Sequence, residues 1–250
     1  MSKGAFTFGN IKSDDYDIYI SGSGTHNAPA EDVDRIEIPG RNGDLLIPKK
    51  RFKNIDVKYP AFTFAANKEG YADKIREIRN ALKSQSGYQR LQDTYHPDEY
   101  RMASFTAAIE TSDTAILRAG TFDLVFNCKP QRFLIEGEEE IEYSNTEGST
   151  ANYKIVNPSR FPSKPLLKVA GYGTLGIGSY NIAITGTAGQ VLYIDCDIME
   201  CYSSTGGILT PQNGKITVSA GFPELVGGEN AIQMPSTITA LAITPRWWVI

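Results

Sequence analysis

One segment of the chain has the hydrophobic periodicity of an amphipathic helix. Its apolar positions recur at intervals of three or four residues and are Tyr71, Ile75, Ile78 and Leu82. This spacing puts all of them on one helical face, as expected for a helix packed on a sheet. Asn67 can cap the start, Glu69 lies in the first turn, and Gly87 follows the end.

Most of the remaining first half has the pattern of strands and turns. Residues 55–64 are rich in β-branched and aromatic side chains, and residues 121–128 alternate, with Phe122, Leu124 and Phe126 on one face. We expect Pro130 to end the second of these strands, because proline cannot donate a ladder hydrogen bond.

The second half of the chain is predicted to consist of strands throughout. Alternating positions occur in residues 179–185 and 191–196, and a last strand is predicted at residues 237–243. Asn213-Gly214 predicts a two-residue hairpin turn between strands near residue 208 and at residues 215–219. Short strands separated by Gly- and Pro-rich turns indicate a β-sandwich.

Charge separates the same two halves. Residues 1–135 carry a net charge of +1, whereas residues 136–250 carry −5, which gives −4 for the 250-residue chain. The acidic run at residues 136–142 is read as a junction. We therefore predict domains at 1–135 and 136–250, with the boundary between Pro130 and Tyr143. The low charge gives no indication of nucleic-acid binding.

Two sequence motifs suggest chemistry, and each has a simpler explanation. Residues 171–176 match G-x-G-x-x-G, but an alternating strand follows where dinucleotide binding needs a helix. A glycine-rich turn is the better interpretation. Asp195 and Asp197 flank Cys196 and could act as paired carboxylates, but no neighbour in the sequence would separate their pKa values.

The sequence offers few other residues that could form a catalytic, disulfide or metal site. The chain has three cysteines and two histidines, His26 and His96. No Ser-His-Asp arrangement, disulfide framework or metal site is predicted from them. Residues 1–10 do not resemble a signal peptide, and the uncharged stretch between Lys168 and Asp195 is too polar to span a membrane. We predict no enzyme, no cofactor, no metal and no membrane insertion, and reduced cysteines from cytoplasmic synthesis.

Several segments together resemble the distal tail protein family of long-tailed bacteriophages, a siphophage tail component. They are residues 36–45 (IEIPGRNGDL), the helix with residues 100–103, residues 124–130 (LVFNCKP), 157–158, 161–165, 193–197, 221–225, 227–230 and 245–248 (PRWW). Their order covers nearly the whole chain. Asn157-Pro158-Ser159 departs from the expected N-x-G turn, and no carbohydrate-binding insertion is present.

The resemblance implies a structural protein of the virion, at the distal end of the tail and made in the host cytoplasm. Its first domain would be a β-sandwich with one helix that forms a homohexameric ring continuing the tail tube. Its second would be a galectin-like or carbohydrate-module-like β-sandwich facing outward. Partners would be the tail tube protein and the tail-tip, baseplate and receptor-binding proteins. DNA would pass through without sequence-specific binding.

Two sets of residues are predicted to meet other proteins. A protruding hairpin would place the subunit interface at Ile36, Ile38, Arg41 and Leu45, although it could equally fold onto its own domain. Trp247 and Trp248 could bind a partner protein, or could pack inside the sandwich. The alternative function is a carbohydrate-binding module that contacts the host cell wall, with Tyr172, Tyr180 and Tyr202 as an aromatic platform.

Overall fold

The computed structural model describes residues 4–22, 24–113, 119–146 and 148–250, and strands predominate in it. The chain divides into two compact units, Met1–Arg132 with Ile250, and Phe133–Val249. We call them unit 1 and unit 2. The division falls within the stretch where the sequence predicts a domain boundary. Independent folding of the two units stays a prediction.

Unit 1 contains one helix and ten strands among its described residues. In chain order these are β1 (Phe6–Phe8), β2 (Ile11–Lys12), β3 (Tyr19–Ile20), β4 (Glu31–Ile36), β5 (Leu45–Phe52), β6 (Ile55–Phe64), α1 (Lys68–Ser84), β7 (Gln89–Asp93), β8 (Glu99–Ser104), β9 (Thr111–Asp113) and β10 (Ala119–Leu134). A 3-10 turn spans Ser13–Tyr16.

The main sheet of unit 1 curls around a single apolar core. Its order is β2-β1-β7-β8-β10-β6-β3, and β9 also pairs with β10. A bridge between Gly4, just before β1, and Ile20 of β3 brings the two sides of the sheet together. Phe8, Leu124 and Phe126 are fully buried in the core that the sheet encloses.

The helix α1 confirms the periodicity seen in the sequence. Its four predicted apolar residues, Tyr71, Ile75, Ile78 and Leu82, are all buried against the core of unit 1. The Asn67 side chain caps the helix by accepting a hydrogen bond of 2.8 Å from the Gly70 amide. Local signals and packing therefore agree in this element.

Unit 2 is a sandwich of two antiparallel sheets. Its strands are β11 (Ile141–Ser144), β12 (Ala151–Asn157), β13 (Leu166–Gly171), β14 (Gly173–Ile177), β15 (Tyr180–Ile184), β16 (Val191–Asp195), β17 (Glu200–Thr205), β18 (Ile208–Pro211), β19 (Ile216–Val218), β20 (Gly228–Met234), β21 (Ile238–Thr244) and β22 (Trp248–Val249). The sheet orders are β11-β21-β13-β16-β17-β18 and β12-β20-β14-β15-β19. The core between them is rich in Ile and Leu, and buried residues alternate with less buried ones along strands such as β13 and β20.

Two local predictions are corrected by the structure. Pro130 does not end its strand, since β10 continues to Leu134. The ladder with β6 ends earlier, at the pair of Cys128 and Ile55, so that ladder needs no donor from Pro130. Asn213-Gly214 does not close a hairpin, because it lies in a 3-10 turn between β18 and β19, which belong to different sheets.

Candidate assembly interface

The strands β4 and β5 form a two-stranded antiparallel sheet of their own, separate from the main sheet of unit 1. Ile36 pairs with Leu45, and Asp34 pairs with Ile47. We call β4, β5 and the connection between them the arm. The connection begins with a turn in which the Arg41 amide donates to the Ile38 carbonyl at 3.1 Å.

The distal part of the arm exposes a cluster of large apolar side chains. Ile36, Leu45, Leu46 and Ile47 are 46%, 47%, 56% and 43% exposed. Paired residues of an antiparallel ladder share a face, so Ile36, Leu45 and Ile47 form one apolar surface while Leu46 faces the other way. An exposed apolar cluster of this kind on one element is typical of a surface that another protein covers.

All four residues predicted for the subunit interface lie on this arm. Ile36, Leu45 and Arg41 are exposed, and Ile38 is partly buried. The sequence prediction did not include Leu46, although the run Leu45-Leu46-Ile47 is visible in the sequence. An uninterrupted apolar run in a strand places apolar groups on both faces, which is a detectable signal.

An ionic cluster ties the two strands together at the base of the arm. Asp32, which is 5% exposed, accepts a hydrogen bond of 2.7 Å from Arg51 and lies 4.0 Å from Lys49 and 3.7 Å from Lys53. The hydrogen bond from Arg51 and the nearby lysine charges lower the pKa of the Asp32 carboxyl. Lys49 also pairs with Asp34 at 2.8 Å.

A bulge accompanies this ionic cluster. The register of the ladder shifts between Glu31 and Val33, and Lys50 on the opposite strand has a φ of +56°. A bulge strengthens the local twist and bends the strand that carries it. The bulge therefore bends the arm between its ionic cluster and its exposed apolar cluster.

The two C-terminal tryptophans differ in their accessibility. Trp247 is 4% exposed and belongs to the core of unit 2, so a partner protein cannot use it as a surface anchor in this structure. Trp248 is partly exposed. It stacks on Phe161 with ring centroids 4.6 Å apart and donates from Nε1 to the Pro162 carbonyl at 2.9 Å. The predicted partner surface is therefore reduced to Trp248 and its surroundings.

Asp195 is engaged in a structural ion pair. Its two carboxylate oxygens each accept a hydrogen bond of 2.8 Å from Arg246, and the Asp197 amide donates to it at 3.0 Å. Burial opposes the ionised form, but the hydrogen bonds from Arg246 and the amides outweigh it and lower the pKa of the Asp195 carboxyl. An acid held ionised and paired is unsuited to proton donation at neutral pH.

The G-x-G-x-x-G motif forms a strand-to-strand connection. Gly171 ends β13 and Gly173 begins β14, and both have positive φ, of 122° and 117°. A Cβ at position 171 would lie 2.1 Å from the Thr237 carbonyl oxygen. Close backbone approach explains the glycine there, and the following strand leaves no helix N-terminus to bind a phosphate.

The cysteines are suited to packing. Burial raises the pKa of the thiols of Cys128 and Cys196 to about 12 and that of Cys201 to about 11, so each is protonated at neutral pH. Within the described ranges, no cluster of three or more His, Cys, Asp or Glu side chains is placed to hold a metal ion. No helix among those residues has the length and apolar character needed to cross a membrane.

The three tyrosines considered for a sugar platform do not share a surface. Tyr172 lies between β13 and β14, Tyr180 belongs to the five-stranded sheet, and Tyr202 belongs to the six-stranded sheet. Tyr202 stacks on Tyr193 with a centroid distance of 5.4 Å and an interplanar angle of 4°. The ring partner of Tyr202 is therefore its cross-strand neighbour Tyr193, and not Tyr172 or Tyr180.

The fold of the two units has solved counterparts. The structure of the Dit protein of phage SPP1, described as a paradigm of the hub adsorption apparatus in phages that infect Gram-positive hosts, matches with a TM-score of 0.75. The alignment covers 100% of both chains at 8% identity. The chain has the fold of a phage hub protein. No protein-family profile matches it, and no curated protein matches its sequence.

A second phage structure has the same hub fold with a weaker match. A chain of the phage P2 baseplate, in its activated conformation with calcium, aligns with a TM-score of 0.52 at 8% identity. The alignment covers 97% of this chain and 98% of that one. Both units are therefore included in the structural match. The mainly β fold that the sequence resemblance predicted is confirmed.

Proposed function

We propose that this chain is a structural protein of a phage tail, a hub that joins the tail tube to the tail tip or baseplate and anchors the host-recognition proteins. The observation that carries the proposal is the match over 100% of both chains with the Dit hub protein of phage SPP1. A match of this extent includes both units.

In this proposal, unit 1 forms a homohexameric ring and unit 2 faces outward. A closed ring requires a heterologous interface, in which one surface meets a different surface of the next copy. The arm supplies a suitable surface, because it lies outside the core of unit 1 and exposes four large apolar side chains. Each of these side chains is already about half buried, so covering the remainder of one contributes roughly 1 kcal/mol, about half of the value for complete burial.

Attachment of other tail proteins is assigned to unit 2, with Trp248 as the accessible part of the predicted partner surface. DNA passes through the ring without sequence-specific contacts. We assign no catalytic activity to the chain. In support of this, Asp195 is paired with Arg246, and the three thiols are protonated at neutral pH.

Substitutions in the arm test this interface. We expect Ile36→Asp with Leu45→Asp to abolish ring formation, because a carboxylate would have to be buried in an apolar contact. Electron microscopy of the purified full chain would show rings for the wild type and none for the variant. Val156→Asp is the matched control, since Val156 is 59% exposed on a strand of unit 2.

Thermal unfolding of each variant verifies that the fold is intact. Substitutions at exposed positions are expected to change the free energy of unfolding by less than about 0.5 kcal/mol. Rings that persist in the arm variant would exclude the arm from the interface. Loss of rings in the Val156→Asp control as well would show that the loss is not specific to the arm, and would contradict this assignment.

A further inference from the structure

The two histidines of the chain lie together at the root of the arm. The rings of His26 and His96 are in edge contact, with centroids 4.6 Å apart and an interplanar angle of 68°. His26 belongs to the loop of residues 24–30, which leads directly into β4, and His96 lies in the connection between β7 and β8. We call residues 24–30 the root loop.

Two buried arginines hold the root loop by its carbonyl groups. Arg132 donates to the Thr25 carbonyl, and Arg101 donates to the Asn27 carbonyl at 3.3 Å. Both arginines are nearly inaccessible, at 7% and 5% exposure. A buried guanidinium needs such acceptors, so the root loop and the two arginines stabilise each other.

The charges around His96 balance when its ring is neutral. The cations facing it are Arg132 and, beside the same small cavity, Arg101, and His26 adds a further positive charge when it is protonated. Asp93 and Glu99 are the carboxylates. Glu99 pairs with Arg132 at 3.1 Å, and Asp93 accepts hydrogen bonds from Tyr59 and from the His96 amide. A proton on His96 would add a third cation to two carboxylates.

Neither nitrogen of the His96 ring has an acceptor within hydrogen-bond distance among the described residues, and Glu99 lies beyond that distance from Nδ1. The Nε2 atom of His96 is buried without a hydrogen-bond partner in the described part of the chain, and its Nδ1 atom lies 3.8 Å from Glu99. The adjoining cavity measures about 10 Å³, the space of a single water molecule. Protonation would therefore place a buried N–H group in a site that offers it no direct partner.

We propose that this cluster is an acid-sensitive anchor of the arm, in which neutral His96 permits the root loop to stay clamped and protonated His96 releases it. The anchor holds the arm in one direction at neutral pH. On release, the root loop separates from Arg101 and Arg132, and the arm can change its direction. The consequence for ring assembly rests on the proposed function, whereas the anchor itself does not.

The direction of the pH effect follows from the environment of His96. Burial and the Arg132 charge lower the pKa of His96, and Asp93 and Glu99 only partly oppose them. In the released form the ring is solvated and its pKa returns to about 6.5. The released form therefore binds protons more readily, and the anchor weakens as the pH falls below about 6.5 and through the lowered pKa.

Hydrogen exchange of the full chain tests the anchor. Peptides covering residues 24–30 would be followed between about pH 5 and pH 7.5, with correction for the intrinsic exchange rate, across the window in which a histidine changes charge. We expect their protection to be lost at the acid end in the wild type and to be retained in His96→Gln, which cannot gain a proton. Peptides from α1 serve as the internal control and should stay protected in both.

A titration of the wild type by nuclear magnetic resonance keeps the test valid if His96→Gln does not fold. The His96 ring and the amides of residues 25–27 should titrate with one shared midpoint, below that of a solvated histidine. Equal pH dependence in wild type and His96→Gln, or different midpoints, would overturn the proposal. Both experiments detect release of the root loop whether or not the chain forms a ring. Absence of a ring would therefore contradict the proposed function and leave the anchor unaffected.

Discussion

At the scale of residues, the pair of Asp195 and Arg246 fixes the C-terminal end of the chain within unit 2. Arg246 has a φ of +58°, and its amide donates to the Gly137 carbonyl at 2.7 Å. The next residue, Trp247, then enters the core, where a Cβ at Gly137 would lie 2.4 Å from its amide nitrogen. The carboxylate thus stabilises a turn that seats a large aromatic side chain.

The variant Asp195→Asn is expected to lower the free energy of unfolding by on the order of 3 kcal/mol at pH 7, because it leaves Arg246 without its charged partner. The pKa of Asp195 is lowered in the folded chain. Its contribution is therefore fully present above about pH 4, the value for an unfolded aspartate, and is lost as the pH falls through the lowered pKa.

Thermal unfolding at a series of pH values would measure this contribution. The gap between wild type and Asp195→Asn should narrow in acid. Asp123→Asn is the control, since Asp123 and Lys58 form an exposed pair that should contribute less than about 1 kcal/mol. Equal effects of the two variants at pH 7 would refute the structural role of the Asp195 pair.

Residue types alone could not predict these contacts. Asp195 and Arg246 are distant in sequence, so nothing near Asp195 indicates that its charge is matched. The tryptophans illustrate the same limit, since Trp247 is in the core and Trp248 is partly exposed although they are neighbours. Neighbouring residues of an extended segment point to opposite sides, but which of the two faces inward depends on the sheet against which the segment packs.

At the scale of elements, the helix α1 was predictable because its apolar stripe, cap and terminal glycine all occur within one short segment. The Asn213-Gly214 turn was not, because its conformation depends on tertiary contacts. The Asn213 side chain accepts a hydrogen bond of 2.6 Å from the Cys201 amide, and the chain then passes to the other sheet. The arm could be predicted only in part. Its turn residues are visible in the sequence, but the exposure of its apolar side chains depends on the rest of the fold.

A core substitution tests the packing of α1. Ile78 is fully buried, so Ile78→Ala should lower the free energy of unfolding by about 2 to 5 kcal/mol through lost burial and a residual cavity. Arg76→Ala, on the exposed face of the same helix, should change it by less than about 1 kcal/mol. Chemical denaturation would measure both. Similar values for the two variants would show that α1 is not packed as described.

At the scale of the whole molecule, the two units have separate apolar cores, which predicts that each folds alone. A fragment of residues 1–132 and a fragment of residues 133–250 should each unfold cooperatively. The cut belongs after Arg132, because the Leu134 amide donates to the Trp247 carbonyl inside unit 2 at 2.9 Å. An unfolded fragment on either side would mean that the units depend on each other.

In the proposed function, copies of this chain form a closed ring. The mass of the purified chain in solution, measured over a wide range of concentration, decides whether they do. We expect a species of six times the 27.5 kDa of one chain, and a shift to one chain when Ile36 and Leu45 are replaced by aspartate. A mass of 27.5 kDa at every concentration, or an open-ended series of larger masses, would contradict it.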